Sequence, residues 1–478
     1  MRKSACGLLF GIVVLGTPVA NAQELLQSPT RRPTPPAAQA GEEYLPPPTL
    51  PIEVGDRPFH STEDFDSHVA SYDLDSLLSL ASQNNPTLRQ ARLQVSSQIA
   101  KAQQAGLYPN PTLTYVGEQI FVDVPGDTDS PGEFQGGVVS QRFVTAGKLK
   151  LSREKYLRRA HVSEHLAVAQ QYRVCNDVRL HFYKALAAQQ RVTMHHELVK
   201  TAEDSSVTIR ELFNLGQATR FNVRKSNIAF QKARLDLQRA EHEFNTAFRE
   251  LSSLMGTEIA VGSLVGTLSG SHAQMSFDDA LARVIDQSPE LLAARAKLAA
   301  DTTTIRREEV EWIPDVVVSA GSGYNFDAKE TVAMADISIE IPLFDRNQGT
   351  IEQARADYNR QLREIRRVEL SLRMMLASVY GDYAMAYEHA TEYRDTIVPE
   401  ARAAYEELLH SYKANRAAWP DVLEAQQDFT DMRLEQIVYE EQLCRSEVLI
   451  HGFLLHDGLR AADGPTPPGH MDAVPKPR

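Results

Sequence analysis

The sequence has few of the residues that disulfide-bonded, metal-binding or membrane-spanning helical proteins require. It contains three cysteines in 478 residues, and Cys6, Cys175 and Cys444 lie far apart. This number and spacing exclude a disulfide framework and a cysteine-based metal site. Beyond residue 22 no apolar run reaches about 18 residues, so a protein that crosses a membrane by helices is excluded.

Positive charge is also scarce. Lys and Arg number 50 against 63 Asp and Glu, and the formal net charge is −13. An acidic chain lacks the positive surface that neutralises phosphates, so the sequence predicts no nucleic-acid partner. No nucleophile–base set, phosphate-binding loop or Rossmann glycine pattern occurs. The sequence therefore predicts a protein that is not an enzyme and that uses no cofactor.

The N-terminus has the pattern of a secretory signal peptide. Arg2 and Lys3 precede the apolar run 7–16, and the A-N-A triplet at 20–22 fits a cleavage site. We predict that residues 1–22 are removed on export. The mature chain then loses two positive charges and becomes still more acidic.

Proline-rich segments flank the central part of the chain. Residues 23–70 contain PTRRPTPP and YLPPPTLP, and residues 459–478 contain GPTPPGH. Such compositions bury little apolar surface. They predict a flexible lead segment and a disordered tail.

The central part contains an internal repeat. Residues 72–94 match residues 275–297, with NNP opposite QSP, and later Val223 falls opposite Val422. The alignment predicts two tandem repeats, which span residues 71–270 and 271–458.

Each repeat shows the same order of secondary structure. Helical periodicity predicts helices over 75–107 and 278–311, followed in each repeat by two strands. Long helices then run over 145–214 and back over 220–254, and the second return helix covers 419–456. The second outgoing helix carries a heptad series made of Ile351, Tyr358, Ile365, Leu372, Val379, Ala386 and Tyr393.

Alternating stretches between the helices predict the strands. Leu113 and Tyr115 alternate with polar residues in the first repeat, and Ile337, Ile339 and Ile341 do so in the second. Two hairpins give four strands, whereas the smallest membrane barrels have about eight. The strands therefore form either a soluble sheet or part of a barrel shared by several chains. The signal peptide and the missing apolar helix favour the shared barrel.

These features, taken together, resemble the TolC-like outer-membrane efflux channels. The resemblance covers residues 70–456 and includes the tandem repeat, the NNP and QSP helix openings, and TAGK at 145–148, which is most similar to the heavy-metal efflux branch. It implies a mostly α fold with a small β part. Three protomers would share a twelve-stranded β-barrel above a long periplasmic α-helical barrel.

The resemblance also implies a function. The chain would be the outer-membrane exit duct of a tripartite efflux system, passively conducting metal cations or small toxic molecules. Its partners would be a periplasmic adaptor, a proton-driven inner-membrane pump, two further copies of itself and outer-membrane lipid. The alternatives are a type I protein-secretion conduit and a soluble periplasmic coiled-coil scaffold.

Within this resemblance, the two helix-hairpin turns would dock the adaptor. The implied docking residues are Leu215, Gly216, Gln217 and Thr219 in the first turn and Asn415, Arg416 and Ala417 in the second. Gly216 suits the left-handed cap that ends a helix, and Asn415 takes that conformation at greater cost. The alternative is that these residues only close a turn.

Asp421 and Glu424 would ring the periplasmic entrance of such a channel. Three copies would gather like charges around one axis and attract cations. The repeat counterparts Asn222 and Lys225 lack this acidity. The alternative is that both acids only favour the N-terminal dipole of their helix.

Two pairs of histidines are candidate metal ligands. His161 and His165 lie four apart on a predicted helix, and His195 precedes His196. Neither pair has an Asp, Glu or Cys at the sequence spacing that would complete a metal site. The sequence therefore predicts no metal site.

Overall fold

The structure, a computed structural model, describes residues 70–118, 132–270, 274–414 and 416–473. The chain divides into two compact units, Met1–Pro51 and Ile52–Arg478, and the described residues all belong to the second. The predicted signal peptide, nearly all of the predicted lead segment and tip residue Asn415 lie outside the described residues.

The described part of the chain is mostly helical. Its helices are α1 (Leu74–Asn84), α2 (Pro86–Ala105), α3 (Lys148–Asn214), α4 (Arg220–Leu254), α5 (Phe277–Gln287), α6 (Pro289–Glu309), α7 (Gln348–Glu392), α8 (Val398–Lys413) and α9 (Trp419–His451). A π-helical turn, Tyr393–Ile397, joins α7 to α8. None of the described helices is both long and apolar enough to cross a membrane.

The strands found among the described residues form two sheets. They are β1 (Ser71–Asp73), β2 (Thr112–Glu118), β3 (Phe134–Phe143), β4 (Ser263–Val265), β5 (Val316–Asn325) and β6 (Glu330–Ile339). Strands β1 and β4 make a short parallel pair, and the others form an antiparallel sheet in the order β2-β3-β5-β6.

The helices predicted over 75–107 and 278–311 are each broken in two, which corrects the sequence prediction. Pro86 and Pro289 start new helices, because proline cannot donate the hydrogen bond that would continue the preceding helix. Asn85 caps α2 by accepting a hydrogen bond from the Thr87 amide at 3.0 Å. Its side-chain amide also donates to the Leu254 carbonyl at 2.9 Å, so the break holds α4 in place.

The predicted heptad series forms the inner face of α7 from Ile351 to Ala386 and ends with Tyr393 in the π-helical turn that follows. All seven of its residues are buried or half-buried, with Leu372 and Ala386 almost fully enclosed.

Two large apolar clusters of described residues lie mainly in the first and the second half of the chain. Each takes in residues of the other half, such as Cys444 in the first cluster and Ala169 in the second. One surrounds Phe182 and Phe248 on α3 and α4, and the other surrounds Tyr383 on α7.

The register of the four-stranded sheet collects the predicted apolar residues on one face. Leu113 pairs with Val139, and Val318 pairs with Ile337. Directly paired residues point to the same side of a sheet, so an apolar face crosses all four strands. The opposite face carries a polar row in which the Ser140 hydroxyl donates to the Ser319 hydroxyl at 3.0 Å.

The joints between sheet and long helices are held by polar contacts and left-handed residues. Gly147 and Asn347, which precede α3 and α7, have φ angles of 66° and 60°. Lys148 pairs with Asp315 at 2.9 Å across the two halves. The Asn347 side-chain amide donates to the Glu308 carbonyl at 2.9 Å. The passage from strand to helix is therefore held in a fixed geometry at both joints.

The predicted disordered tail over 459–478 is wrong for residues 459–473. This segment continues beyond α9 along α3 towards the sheet and ends in a 3₁₀ turn, Met471–Ala473. His470 is only 4% exposed. Composition alone suggested disorder, whereas buried hydrogen bonds and ion pairs with distant helices order the segment. Residues 474–478 lie outside the described part.

Candidate functional site at the hairpin tips

The first tip joins α3 to α4 through a turn ended by Gly216. Gly216 has a φ of 75°, and the Gln217 amide donates to the Leu212 carbonyl at 2.8 Å. This is the left-handed helix ending predicted for Gly216. The Thr219 hydroxyl then accepts from the Asn222 amide at 3.3 Å and caps α4. Leu215 is left 72% exposed at the extremity.

The second tip, between α8 and α9, is closed by the same kind of hydrogen bond, from an amide to the carbonyl five residues earlier. The Arg416 amide donates to the Ser411 carbonyl at 2.8 Å. Ala418 has no side-chain acceptor, so α9 starts differently from α4. The Asp421 carboxylate reaches back to accept from the Ala418 amide at 3.3 Å. Arg416 is exposed and Ala417 half-buried.

Trp419 connects the two tips, a role that sequence reasoning missed. Its indole nitrogen donates to the Ser205 hydroxyl on α3 at 3.2 Å. Its ring lies 4.9 Å from that of Tyr412. Two turns further along α9, the Gln426 side chain donates to the Thr201 hydroxyl at 3.0 Å. The two hairpins are thus fixed side by side by polar contacts.

Asp421 and Glu424 are both exposed on the first turns of α9. Val422, which lies between them in sequence, is only 1% exposed and faces the protein. Asp421 caps the N-terminus of α9, which agrees with the interpretation that it stabilises its own helix. The cap leaves the carboxylate in solvent, so the structural role and a role at an entrance are compatible.

The acidic surface of α9 extends well beyond the two predicted residues. The acids that follow at helical spacing, all exposed, are Asp428, Asp431 and Glu435. Partial burial, followed by repulsion from Asp428, raises the pKa of Asp431 above its ordinary value. We call Asp421, Glu424, Asp428, Asp431 and Glu435 the α9 acidic stripe. The heptad-like spacing of these acids in the sequence was the available signal.

The predicted histidine pairs are not brought together with further ligands. His161 contacts Glu164 at 3.0 Å, and burial lowers the pKa of His165. His196 lies 3.9 Å from Glu241. Within the described residues, no group of three or more His, Cys, Asp or Glu side chains is arranged to hold a metal ion.

The comparison with protein families decides the identity of this architecture. A sequence model of the family described as "Outer membrane efflux protein" matches residues 77–257 and 280–451. The chain belongs to the outer membrane efflux protein family. The two matched segments each lie within one predicted repeat.

Individual outer membrane efflux proteins match most of the chain. It is 24% identical over 371 residues to the cobalt-zinc-cadmium resistance protein CzcC of Cupriavidus metallidurans, covering 76% of this chain and 85% of CzcC. It is 21% identical over 397 residues to SepC of Pseudomonas putida, a probable efflux pump outer membrane protein. This match covers 77% of this chain and 82% of SepC. A crystal structure of CusC superposes with a TM-score of 0.65 at 16% identity, covering 80% of this chain and 92% of CusC.

Membership of this family establishes the function and its location. The chain is an outer-membrane exit duct of an efflux system, with its helical part extending into the periplasm. Relatives such as SepC are named as outer membrane proteins of efflux pumps, which implies an adaptor and an inner-membrane pump as partners.

Proposed function

We propose that three copies of the chain form one duct, each supplying four strands to a shared twelve-stranded barrel. The observation that carries this proposal is the sheet, in which β2 and β6 each have a single strand neighbour among the described residues. Unpaired backbone groups at such edges are not tolerated inside a bilayer. Head-to-tail pairing of β6 with β2 of the next copy closes the sheet.

The two faces of the sheet support the same arrangement. Leu113, Tyr115, Ile337 and Ile339, all more than half exposed in the single chain, would face lipid. Asp336 and Ser338, on the opposite face, would line a watery lumen. The apolar face would then contact lipid and the polar face would contact water.

Metal cations are the cargo that the acidic stripe favours. Three copies of the α9 acidic stripe would place fifteen carboxylates around the lower duct and concentrate cations there. The counterparts on α4 include Lys225 and Lys232 in place of Glu424 and Asp431, so the charge is specific to one hairpin. Similarity to CzcC, named for cobalt, zinc and cadmium resistance, supports this cargo.

The hairpin tips are the proposed adaptor-docking surface. Leu215, Gly216, Gln217, Thr219 and Arg416 are exposed there, and Ala417 is half-buried. Asn415 completes the proposed set from outside the described residues. The inner-membrane pump that the adaptor joins to the duct is proposed to be proton-driven, as in the heavy-metal efflux branch.

Assembly is tested by fractionating cells and extracting the outer membrane with mild detergent. We expect native mass spectrometry to show a trimer, and we expect heating to dissociate it. A soluble periplasmic monomer would instead indicate the coiled-coil scaffold, and secretion of a polypeptide with an ATP-driven exporter would indicate the protein conduit.

Cation preference is tested by conductance in planar bilayers. We expect the double variant Asp421→Asn, Glu424→Gln to lower the cation-over-anion permeability ratio several-fold, because six charges leave the proposed entrance. The control Glu203→Gln removes an exposed acid of α3 outside the stripe. An unchanged ratio in the double variant would contradict the acidic entrance.

A further inference from the structure

The chain leaves α9 through a strained turn, after which the tail continues along α3 towards the sheet. Phe453 and Leu454 both have left-handed backbones, with φ of 59° and 61°. Bulky residues adopt this conformation at a cost in free energy, so the surroundings must hold it. The Asn176 side chain does so by donating to the Gly452 and Leu455 carbonyls at 2.9 and 2.7 Å.

The lower part of the tail is bound to α2 and α3 through the backbone of Gly458. Its carbonyl accepts from the Thr87 hydroxyl and the Gln170 amide, each at 2.8 Å. Its amide donates to Asp177 at 2.6 Å. A side chain at this position would overlap Val174, since an added Cβ would lie 2.8 Å from the Val174 Cα. Glycine therefore permits the close approach.

The upper end of the tail is anchored in a buried charge cluster. Arg159 on α3, 1% exposed, donates to Asp301 on α6 at 2.6 Å and to Asp472 of the tail at 3.2 Å. Lys155 pairs with Asp472 at 2.9 Å. The Thr304 hydroxyl on α6 also donates to Asp472, at 2.9 Å. One tail carboxylate thus meets three groups from two helices.

His470 and the following amide extend the cluster to α7. The Asp472 amide donates to His470 Nδ1 at 3.0 Å, so a neutral ring carries its proton on Nε2. Nε2 lies 3.1 Å from Asp301 and donates to it. The Met471 amide donates to Asp357 on α7 at 3.1 Å. Residues 470–472 thus contact α3, α6 and α7 through polar groups.

We propose that residues 456–473 are a strap that locks the two repeats of the duct wall in register. The strap joins α2 and α3 of the first predicted repeat to α6 and α7 of the second. Between its contacts at Asp177 and Lys155 it follows α3 for about 33 Å towards the sheet. Buried charges accept few alternative arrangements, so the cluster fixes one register where apolar packing would tolerate a slip.

The rate of trypsin cleavage after Arg460 reports whether the strap is bound to the helices. The Arg460 carbonyl accepts from Gln170 at 2.9 Å, which holds this peptide bond against α3. In the detergent-extracted full-length protein we expect Asp472→Asn to speed this cleavage at least tenfold. The control Asp286→Asn removes an exposed acid of α5 outside the strap and should leave the rate unchanged.

Hydrogen exchange distinguishes a lock from a tail that only rests on the wall. We expect Asp472→Asn to speed amide exchange in the adjoining parts of α3, α6 and α7, and to leave α4 unchanged. Faster tail cleavage without faster exchange in these helices would overturn the proposal, as would unchanged cleavage.

A second variant covers the case in which Asp472→Asn gives no folded protein. Lys155→Met with Asp472→Asn removes both members of an ion pair, so neither charge is left buried alone. We expect the double variant to fold and to show faster exchange in the same helices. Wild-type exchange in the double variant would overturn the lock.

Discussion

At the scale of single residues, burial and neighbouring charge decide which side chains titrate or react. Burial raises the pKa of Asp472, but Lys155 and Arg159 outweigh it and bring the pKa to about 2 from an ordinary 3.8. A lowered carboxyl pKa stabilises the folded chain above the ordinary pKa, and this contribution is lost as pH falls from about 4 to about 2.

Acid titration of unfolding measures that contribution. We expect wild type to exceed Asp472→Asn in stability near neutral pH by about 2 kcal/mol from this titration alone. The gap should close between pH 4 and pH 2, because the carboxylate becomes protonated. A gap that stays constant through this window would contradict the charge role of Asp472.

Thiol chemistry gives a second prediction for single residues. Burial, and then the nearby Glu447, raise the pKa of Cys444 to about 12, and burial also raises that of Cys175. Only a thiolate reacts readily with iodoacetamide, so we expect neither cysteine to be labelled at pH 8 until the protein unfolds. A Gln217→Cys variant, exposed at the first tip, should be labelled in the folded protein. Labelling of Cys444 at the same rate would contradict its burial.

At the scale of elements, the tip hairpins depend on a few polar contacts between helices. Trp419→Phe keeps the ring beside Tyr412 but removes the donor to Ser205, which is 3% exposed. We expect a cost of about 1 kcal/mol, seen as faster amide exchange over residues 416–426. The control Trp312→Phe changes the only other tryptophan, which is half exposed, and should leave these amides unaffected.

The same scale shows how much of the site the sequence supplied. The left-handed cap at Gly216 follows from local chemistry and was predicted. The bond from Trp419 to Ser205 spans 214 residues, so no local pattern reports it. The stripe beyond Glu424 needed the helix orientation that burial of Val422 provides.

At the scale of the whole molecule, the sheet and its two faces decide where the protein sits. Ile337→Lys places a charge on the apolar face, at a cost in each copy of at most the about 2–4 kcal/mol of a lysine at the bilayer midplane. We expect reduced recovery of trimer from the outer membrane. Ser338→Lys, one residue along on the opposite face, should assemble normally. Equal recovery of both variants would contradict the assignment of faces.

The sequence by itself determined the tandem repeat, the order of helices and strands, and the apolar face of the sheet. The helices, the strands and the apolar face follow from periodicity among residues close together along the chain, and the repeat follows from matching residues 72–94 with residues 275–297. Only the tertiary structure decided the path of the tail, because the contacts that order it, such as Arg159 with Asp472, join residues 313 positions apart. A charge pair leaves no period in a sequence, and the proline-rich composition of residues 459–473 pointed to disorder. Long-range electrostatics and hydrogen bonding therefore ordered a segment that composition had predicted to be disordered.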